Sequence, residues 1–191
     1  MKTTILIPFI VLICVGTANS QPDTSGSITI LEVGSRTWSD KSDARLTIAH
    51  KWGINFKDVA GSVIPQDLFD SVVTHNKQAY QKASEIYGED WEERFETEVQ
   101  EELKRQTAVR KLVDSQPYIM KLNSIMTSQR NGLRYHFVPD SNSLERYQVT
   151  VLGWGDWEGE TRIVSYYRLA VNTRQESVEI KSQEKELYHY R

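Results

Sequence analysis

Apolar positions along this chain follow a helical period in its first two thirds and an alternating one afterwards. Ile28, Ile30 and Val33 mark a strand over residues 27–33. Ser42 and Asp43 are placed to cap a helix through Ala44, Leu46, Ile48, Ala49 and Trp52, with Gly53 just past its end. Ile54, Phe56 and residues 59–64 read as a second strand, bent near Gly61, and the β-α-β unit so formed predicts a right-handed crossover. A helix then opens at residues 65–67, carries Leu68, Val72, Ala79, Ala83 and Ile86 at mostly helical spacing, and closes at Gly88. Asp90 stands at the cap of the next helix, where Trp91, Phe95, Val99 and Leu103 succeed one another at i+4. Residues 107–129 keep the helical period through Val109, Leu112, Val113, Ile119, Leu122 and Met126. Pro117 is expected to divide that run, because its ring clashes with the preceding turn.

Past Asn131-Gly132 the period drops to two. Residues 133–138, 147–154, 162–171 and 177–181 read as four strands, joined by turn-rich links at 139–142, 155–159 and 172–173. Tyr147, Val149 and Val151 alternate with Gln148, Thr150 and Leu152, as in a strand with one buried face. The charged and aromatic residues 183–191 are expected to fray or to lie on the surface. The predicted fold class is α+β. A β-α-β-α-α module over residues 27–106 is followed by a second module, residues 107–191, in which a helix packs on a four-stranded antiparallel sheet. The boundary near residue 107 is where one helix could run through.

The first twenty residues change the picture. Lys2, an apolar run over residues 5–15 and the small polar stretch Gly16-Thr17-Ala18-Asn19-Ser20 have the layout of a secretory signal peptide, with Ala18 and Ser20 before a cleavage at Gln21. The run is short for a membrane span, which favours cleavage over anchoring. Residues 21–26 then form a polar linker. The expected destination is outside the inner membrane: periplasm, cell envelope or extracellular space. Cys14, the single cysteine, leaves with the signal, so the mature chain is expected to be free of disulfides and stabilised by burial alone. Lipid anchoring through Cys14 is disfavoured because Ile13 stands where that processing needs a small residue.

Hydrophobic content of 39% and charged content of 26% suit a globular protein. Of 23 basic residues, loss of Lys2 leaves 22 against 26 acids, a mild acidity that argues against nucleic acid as a partner.

Residues 48–62, Ile-Ala-His-Lys-Trp-Gly-Ile-Asn-Phe-Lys-Asp-Val-Ala-Gly-Ser, followed by residues 87–99, Tyr-Gly-Glu-Asp-Trp-Glu-Glu-Arg-Phe-Glu-Thr-Glu-Val, resemble the FEKKY domain of bacterial exported proteins. The Phe-Glu motif of that family falls on Phe95-Glu96-Thr97-Glu98-Val99. Its members often carry a cysteine after the glycine that ends the second strand; this chain has Ser62, so a thiol role does not carry over. The resemblance spans residues 27–106 and implies no activity. Residues 147–154, Tyr-Gln-Val-Thr-Val-Leu-Gly-Trp, with residues 165–173, Ser-Tyr-Tyr-Arg-Leu-Ala-Val-Asn-Thr, are similar to the hairpins of cystatin-like and PepSY-like exported modules. That likeness implies a binding, chaperoning or inhibitory role.

Catalytic motifs are absent from the sequence. His50, His75, His136 and His189 form no H-x-x-x-H or H-E-x-x-H arrangement, so no metal site is predicted and the histidines read as structural. There is no G-x-S-x-G elbow and no phosphate loop, Ser27 and Ser62 stand isolated, and no cofactor is implied. The acids Asp90, Glu92, Glu93, Glu96, Glu98, Glu101 and Glu102 precede Lys104 and Arg105, an order that complements a helix dipole and reads as a solvated face. Glu93 and Glu96 share that face, whereas glycoside hydrolysis needs carboxylates opposed across a cleft.

Trp154 and Trp157, flanking the Gly-rich segment 153–159, are the candidate partner-binding residues, because exposed tryptophans on a hairpin make good anchors. The competing reading folds them back over the end of the sheet. Asp156, Glu158 and Glu160 match no calcium loop. The function predicted is a non-catalytic envelope protein that binds a protein, peptide or glycan. The alternatives are a hydrolase with an acid and a histidine assembled from distant segments, or an inhibitor or immunity-type protein.

Overall fold

A computed structural model describes residues 27–34, 39–61, 64–129 and 131–188. The expected signal peptide with Cys14, the 21–26 linker, Ser62 and His189 lie outside the described residues. The fold is α+β, in the order β1 (Ile28–Val33), α1 (Asp40–Lys51), β2 (Ile54–Ala60), α2 (Gln66–Tyr87), α3 (Trp91–Asp114), α4 (Pro117–Ser128), β3 (Arg134–Asp140), β4 (Ser143–Trp157), β5 (Glu160–Asn172), β6 (Ser177–Ser182) and β7 (Glu186–Leu187).

β1 and β2 pair in parallel, Ile28 beside Ile54 and Ile30 beside Phe56, and all four side chains are buried. They pack with Ala44, Ile48 and Ala49 of α1, Ala79 and Ala83 of α2, and Trp91, Phe95 and Val99 of α3. The cap of α1 is Ser39, three residues before the expected Ser42. Ser39 Oγ accepts from Ser42 N at 3.2 Å and Ser42 Oγ accepts from Ser39 N at 2.9 Å, a reciprocal capping box that uses Ser42 as the inner partner. A two-stranded sheet leaves a bare edge on β1, and α2 closes it with side chains. Asn76 accepts from Leu31 N at 2.8 Å and donates to Leu31 O at 2.9 Å, and His75 Nε2 lies 3.0 Å from Thr29 O.

The second sheet is antiparallel in the order β3-β4-β5-β6, with β7 also on β5. Tyr135, Phe137, Tyr147, Val149, Val151, Leu169 and Val171 form its inner face against Val109 and Val113 of α3 and Ile119 of α4. Pro117 opens α4 at its first turn, where a missing N–H costs nothing. The expected fraying of the tail does not extend to its first residues. Glu186 and Leu187 pair with Ser165 and Val164, and Tyr188 N donates to Ile163 O at 3.0 Å.

α3 runs unbroken from Trp91 to Asp114, so the expected boundary at residue 107 falls inside a helix shared by both cores. Its buried face is Trp91, Phe95, Val99, Glu102, Gln106, Val109 and Val113. The first three belong to one core and the last two to the other. Between them Glu102 and Gln106 are each only 2% exposed, which corrects the reading of Glu102 as part of a solvated acidic face.

Hydrogen bonds compensate the burial of the Glu102 carboxylate and of the Gln106 Nε2 group, while Gln106 Oε1 has no partner among the described residues. Glu102 Oε1 accepts from Tyr147 Oη at 3.1 Å and Gln106 Nε2 at 2.9 Å, while Oε2 accepts from Arg105 Nε at 3.0 Å. Gln106 Nε2 also lies 3.2 Å from Thr47 Oγ1 on α1. Burial, reinforced by the Glu102 charge, holds the Tyr147 phenol above its ordinary pKa, so it stays a donor.

Removing the carboxylate leaves the buried Tyr147 hydroxyl without its acceptor and Gln106 Nε2 with Thr47 Oγ1 alone. Glu102→Ala is expected to lower unfolding free energy by about 2–4 kcal/mol in urea denaturation. A loss under about 0.5 kcal/mol would show that water enters and satisfies the cluster unaided.

Candidate functional site

β4 and β5 project beyond the rest of their sheet. The last β4 residue paired with β3 is Leu152, and residues 153–157 pair with β5 alone. The turn that closes this ribbon is two residues long. Glu158 and Gly159 take φ values of 54° and 84°, the left-handed pair of a type I′ hairpin. Gly155, Asp156 and Trp157, expected in a five-residue link, are therefore strand residues opposite Arg162, Thr161 and Glu160.

The glycines serve packing, not turning. A Cβ on Gly153 would meet Met126 Cε at 2.7 Å and Tyr166 Cε2 at 3.2 Å. One on Gly155 would meet Tyr166 Oη at 2.7 Å and Val164 Cγ2 at 2.9 Å. Register passes from Val151 opposite Tyr167 to Leu152 opposite Ser165, leaving Tyr166 as the extra residue of a bulge. Tyr166 lies across the two glycines, a ring filling the space their missing side chains leave. Its hydroxyl donates to Trp154 O at 3.4 Å, and Lys185 Nζ donates to Asp156 O. These two side chains serve β4 carbonyls where β3 no longer reaches.

Trp154, 37% exposed, sits opposite Ile163, and the half-buried Trp157 sits opposite Glu160. A separation of three along a strand sends the two indoles to opposite faces of the ribbon. Both border a concavity of about 700 Å³ at its end, with Ile163, Leu187 and Tyr188 as apolar wall and Glu158, Glu160 and Arg162 as charged rim. Arg162 is ion-paired to Glu160, and Glu158 has no partner among the described residues. The sequence signal for Trp154 and Trp157 did not extend to Leu187 and Tyr188, which reach the site only because β7 adds to β5.

A second concavity of about 480 Å³ lies between β1 and α2, lined by Leu31, Val33, Phe69, Val72, Val73, Asn76, Lys77 and Tyr80. Val33, Phe69 and Val73 are exposed there. Phe69 and Val73 fall outside the periodic stripe of α2, so the helical pattern gave no sign of them.

The histidines are dispersed. His75 closes the β1 edge, His50 is exposed on α1, and His136 Nδ1 lies 2.6 Å from Tyr188 Oη. Neither concavity contains a histidine, and among the described residues none hydrogen-bonds a carboxylate. No group of described His, Cys, Asp and Glu residues could hold a metal ion.

The most perturbed carboxylate is Asp43. Burial first, opposed by Arg110, then helped by Asp40 and opposed by Arg134, pushes its pKa up to about 6 from an ordinary 3.8. Arg110 Nη1 lies 2.7 Å from Asp40 and over the ring of Tyr135, so the positive charge nearest Asp43 is shared with another acid.

Two measurements test this geometry. Gly155→Ala is expected to cost about 1–3 kcal/mol, because the shortest side-chain neighbours must move, whereas Gly132→Ala, with nothing within 4 Å of its Cβ, should be close to neutral. For Asp43 the folded pKa exceeds the unfolded one, so the folded state binds the proton more tightly. Its stabilising contribution is present below about pH 4 and is lost as pH rises to about 6. Relative to Asp43→Asn, the unfolding free energy of the native chain should fall by about 1–2 kcal/mol between pH 4 and 7, a value reduced for the residue's partial exposure. A flat difference would show that Asp43 is fully hydrated. No family model, curated protein or solved structure matches the chain.

Proposed function

We propose that this chain is an exported, non-catalytic binding protein of the bacterial cell envelope. Residues 27–106, where the resemblance to FEKKY-type domains lies, act as scaffold, and the end of the β4–β5 ribbon is the contact surface for a protein, peptide or glycan. The observation that carries the reading is the aromatic concavity itself. Trp154, Trp157 and Tyr188 border one open concavity at the end of a ribbon whose β4 carbonyls are served by Tyr166 and Lys185. Aromatic anchors on a rigid support bind at low conformational cost. Export is supported by the layout of residues 1–20. An inhibitor or immunity-type role would use the same surface and differ only in what the partner does once bound.

The test compares native chain and the Trp154→Ala/Trp157→Ala variant, starting from Gln21, as baits in an envelope extract. Both indoles lie outside the two cores, so the variant should keep its circular dichroism and denaturation midpoint while losing a stoichiometric partner. Undiminished capture by the folded variant would remove the ribbon end as the contact surface.

A further inference from the structure

The chemistry of the ribbon end narrows the kind of partner. Elsewhere the protein repeatedly places its own guanidinium groups on aromatic faces. Arg45 lies 3.6 Å from the Phe56 ring centroid, Arg94 lies 5.6 Å from that of Trp52, and Arg110 lies 4.9 Å from that of Tyr135. Trp154 and Trp157 have neither a cation nor another ring against them among the described residues, and their indole N–H groups have no acceptor. Tryptophan offers the strongest aromatic surface for a cation, and two partly exposed tryptophans without a cation partner border one site.

The charges around them have one sign in excess. At the ribbon end Asp156, Glu158 and Glu160 stand against Arg162 and Lys185; Arg162 is paired with Glu160, and Lys185 Nζ is held by the Asp156 carbonyl. The Asp156 carboxylate meets only Gly159 N, at 3.5 Å, and Glu158 meets nothing among the described residues. Partly exposed indoles beside the Asp156 and Glu158 carboxylates, which have no ion pair among the described residues, complement long side chains with cationic heads, each methylene stem lying on one ring. The volume of about 700 Å³ exceeds one such side chain and accommodates a short run of residues. A sugar prefers rings that pave one surface, and strand alternation denies this to Trp154 and Trp157.

We propose that the ribbon end captures a basic polypeptide segment that straddles it, one lysine or arginine side chain lying against Trp154 on one face and another against Trp157 on the other, with a cationic head at Glu158. The proposal rests on the ribbon being a contact surface and adds the identity of what it contacts.

The test titrates the protein with N-acetylated hexalysine amide, with hexaglutamate and with chitohexaose, following indole fluorescence and heat. The variants are Glu158→Gln, Trp154→Ala/Trp157→Ala and, as a control on the exposed face of α3, Glu93→Gln. Hexalysine alone should bind, more weakly as salt rises. Affinity should drop about threefold to fivefold in Glu158→Gln and about tenfold or more in the double tryptophan variant, and stay unchanged in Glu93→Gln.

No hexalysine binding at low salt, or equal losses in Glu158→Gln and Glu93→Gln, would overturn the proposal. Chitohexaose binding that the double tryptophan variant abolishes would overturn it while leaving the ribbon as a binding site. Hexalysine binding that depends on Glu158 and both tryptophans, alongside undiminished envelope capture by the double variant, would uphold it and overturn the broader reading of the surface.

Discussion

One helix face holds this molecule together. Seven buried positions of α3, from Trp91 to Val113, pass without interruption from the core under the parallel strands to the core under the antiparallel sheet. An all-apolar seam of that length could pack in more than one register, because a shift by one turn would still bury apolar surface. Glu102 and Gln106 remove that freedom. Their hydrogen bonds reach Thr47 on α1 in one direction and Tyr147 on β4 in the other, and a shift by one turn would break both. One hydrogen-bonded cluster thus ties the two cores together, and the cost of burying the carboxylate is offset by three donors around it, Arg105 Nε, Gln106 Nε2 and Tyr147 Oη.

The same economy appears where strands run out of neighbours. β1 has no second strand beyond it, and Asn76 supplies the donor and acceptor such a strand would have offered. β4 loses β3 after Leu152, and Tyr166 and Lys185 supply donors to Trp154 and Asp156. Each device needs room at the backbone. At β4 the room comes from Gly153 and Gly155, so glycine there stiffens the ribbon by admitting a tyrosine. That stiffness lets a two-stranded extension, marginal by itself in water, present side chains in a defined arrangement.

Much of the architecture was legible because the hydrophobic period reports it directly. The change from helical to alternating spacing at Asn131-Gly132 is where β3 begins soon after, and Pro117 marks the start of α4. Features that depend on partners remote in sequence were not legible. Glu102 hid among six other acids, since an i+4 progression from Val99 points to Leu103, which is only partly buried; the true step is three. Ser39 was outcompeted by Ser42 and Asp43 because a capping box puts polar residues at both of its ends. The role of the glycines was misassigned because Gly-rich segments usually signal turns, and only Tyr166, eleven residues past Gly155, shows otherwise. The site itself was half legible: its tryptophans stand out locally, but its apolar wall arrives from residues 187–188 through strand pairing.

The four described tryptophans divide by environment in a way that stability alone does not explain. Trp52 and Trp91 sit in an aromatic cluster with Tyr87, Tyr80 and Phe95, edge to face except for the tilted Trp52–Tyr87 pair. Among the described residues Trp154 and Trp157 have no such ring neighbours, and of the about 2–3 kcal/mol that full burial of a large aromatic side chain contributes the fold forgoes a part at each. Their apolar surface instead faces a concavity whose wall, Leu187 and Tyr188, is held by a two-residue strand, the Arg168–Glu186 pair and the contact of Tyr188 with His136. Those ties are short-range and mostly exposed, whereas the indoles are fixed by the ribbon. The concavity thus joins indoles carried on the β4–β5 ribbon to a wall that strand pairing brings in from the end of the described chain.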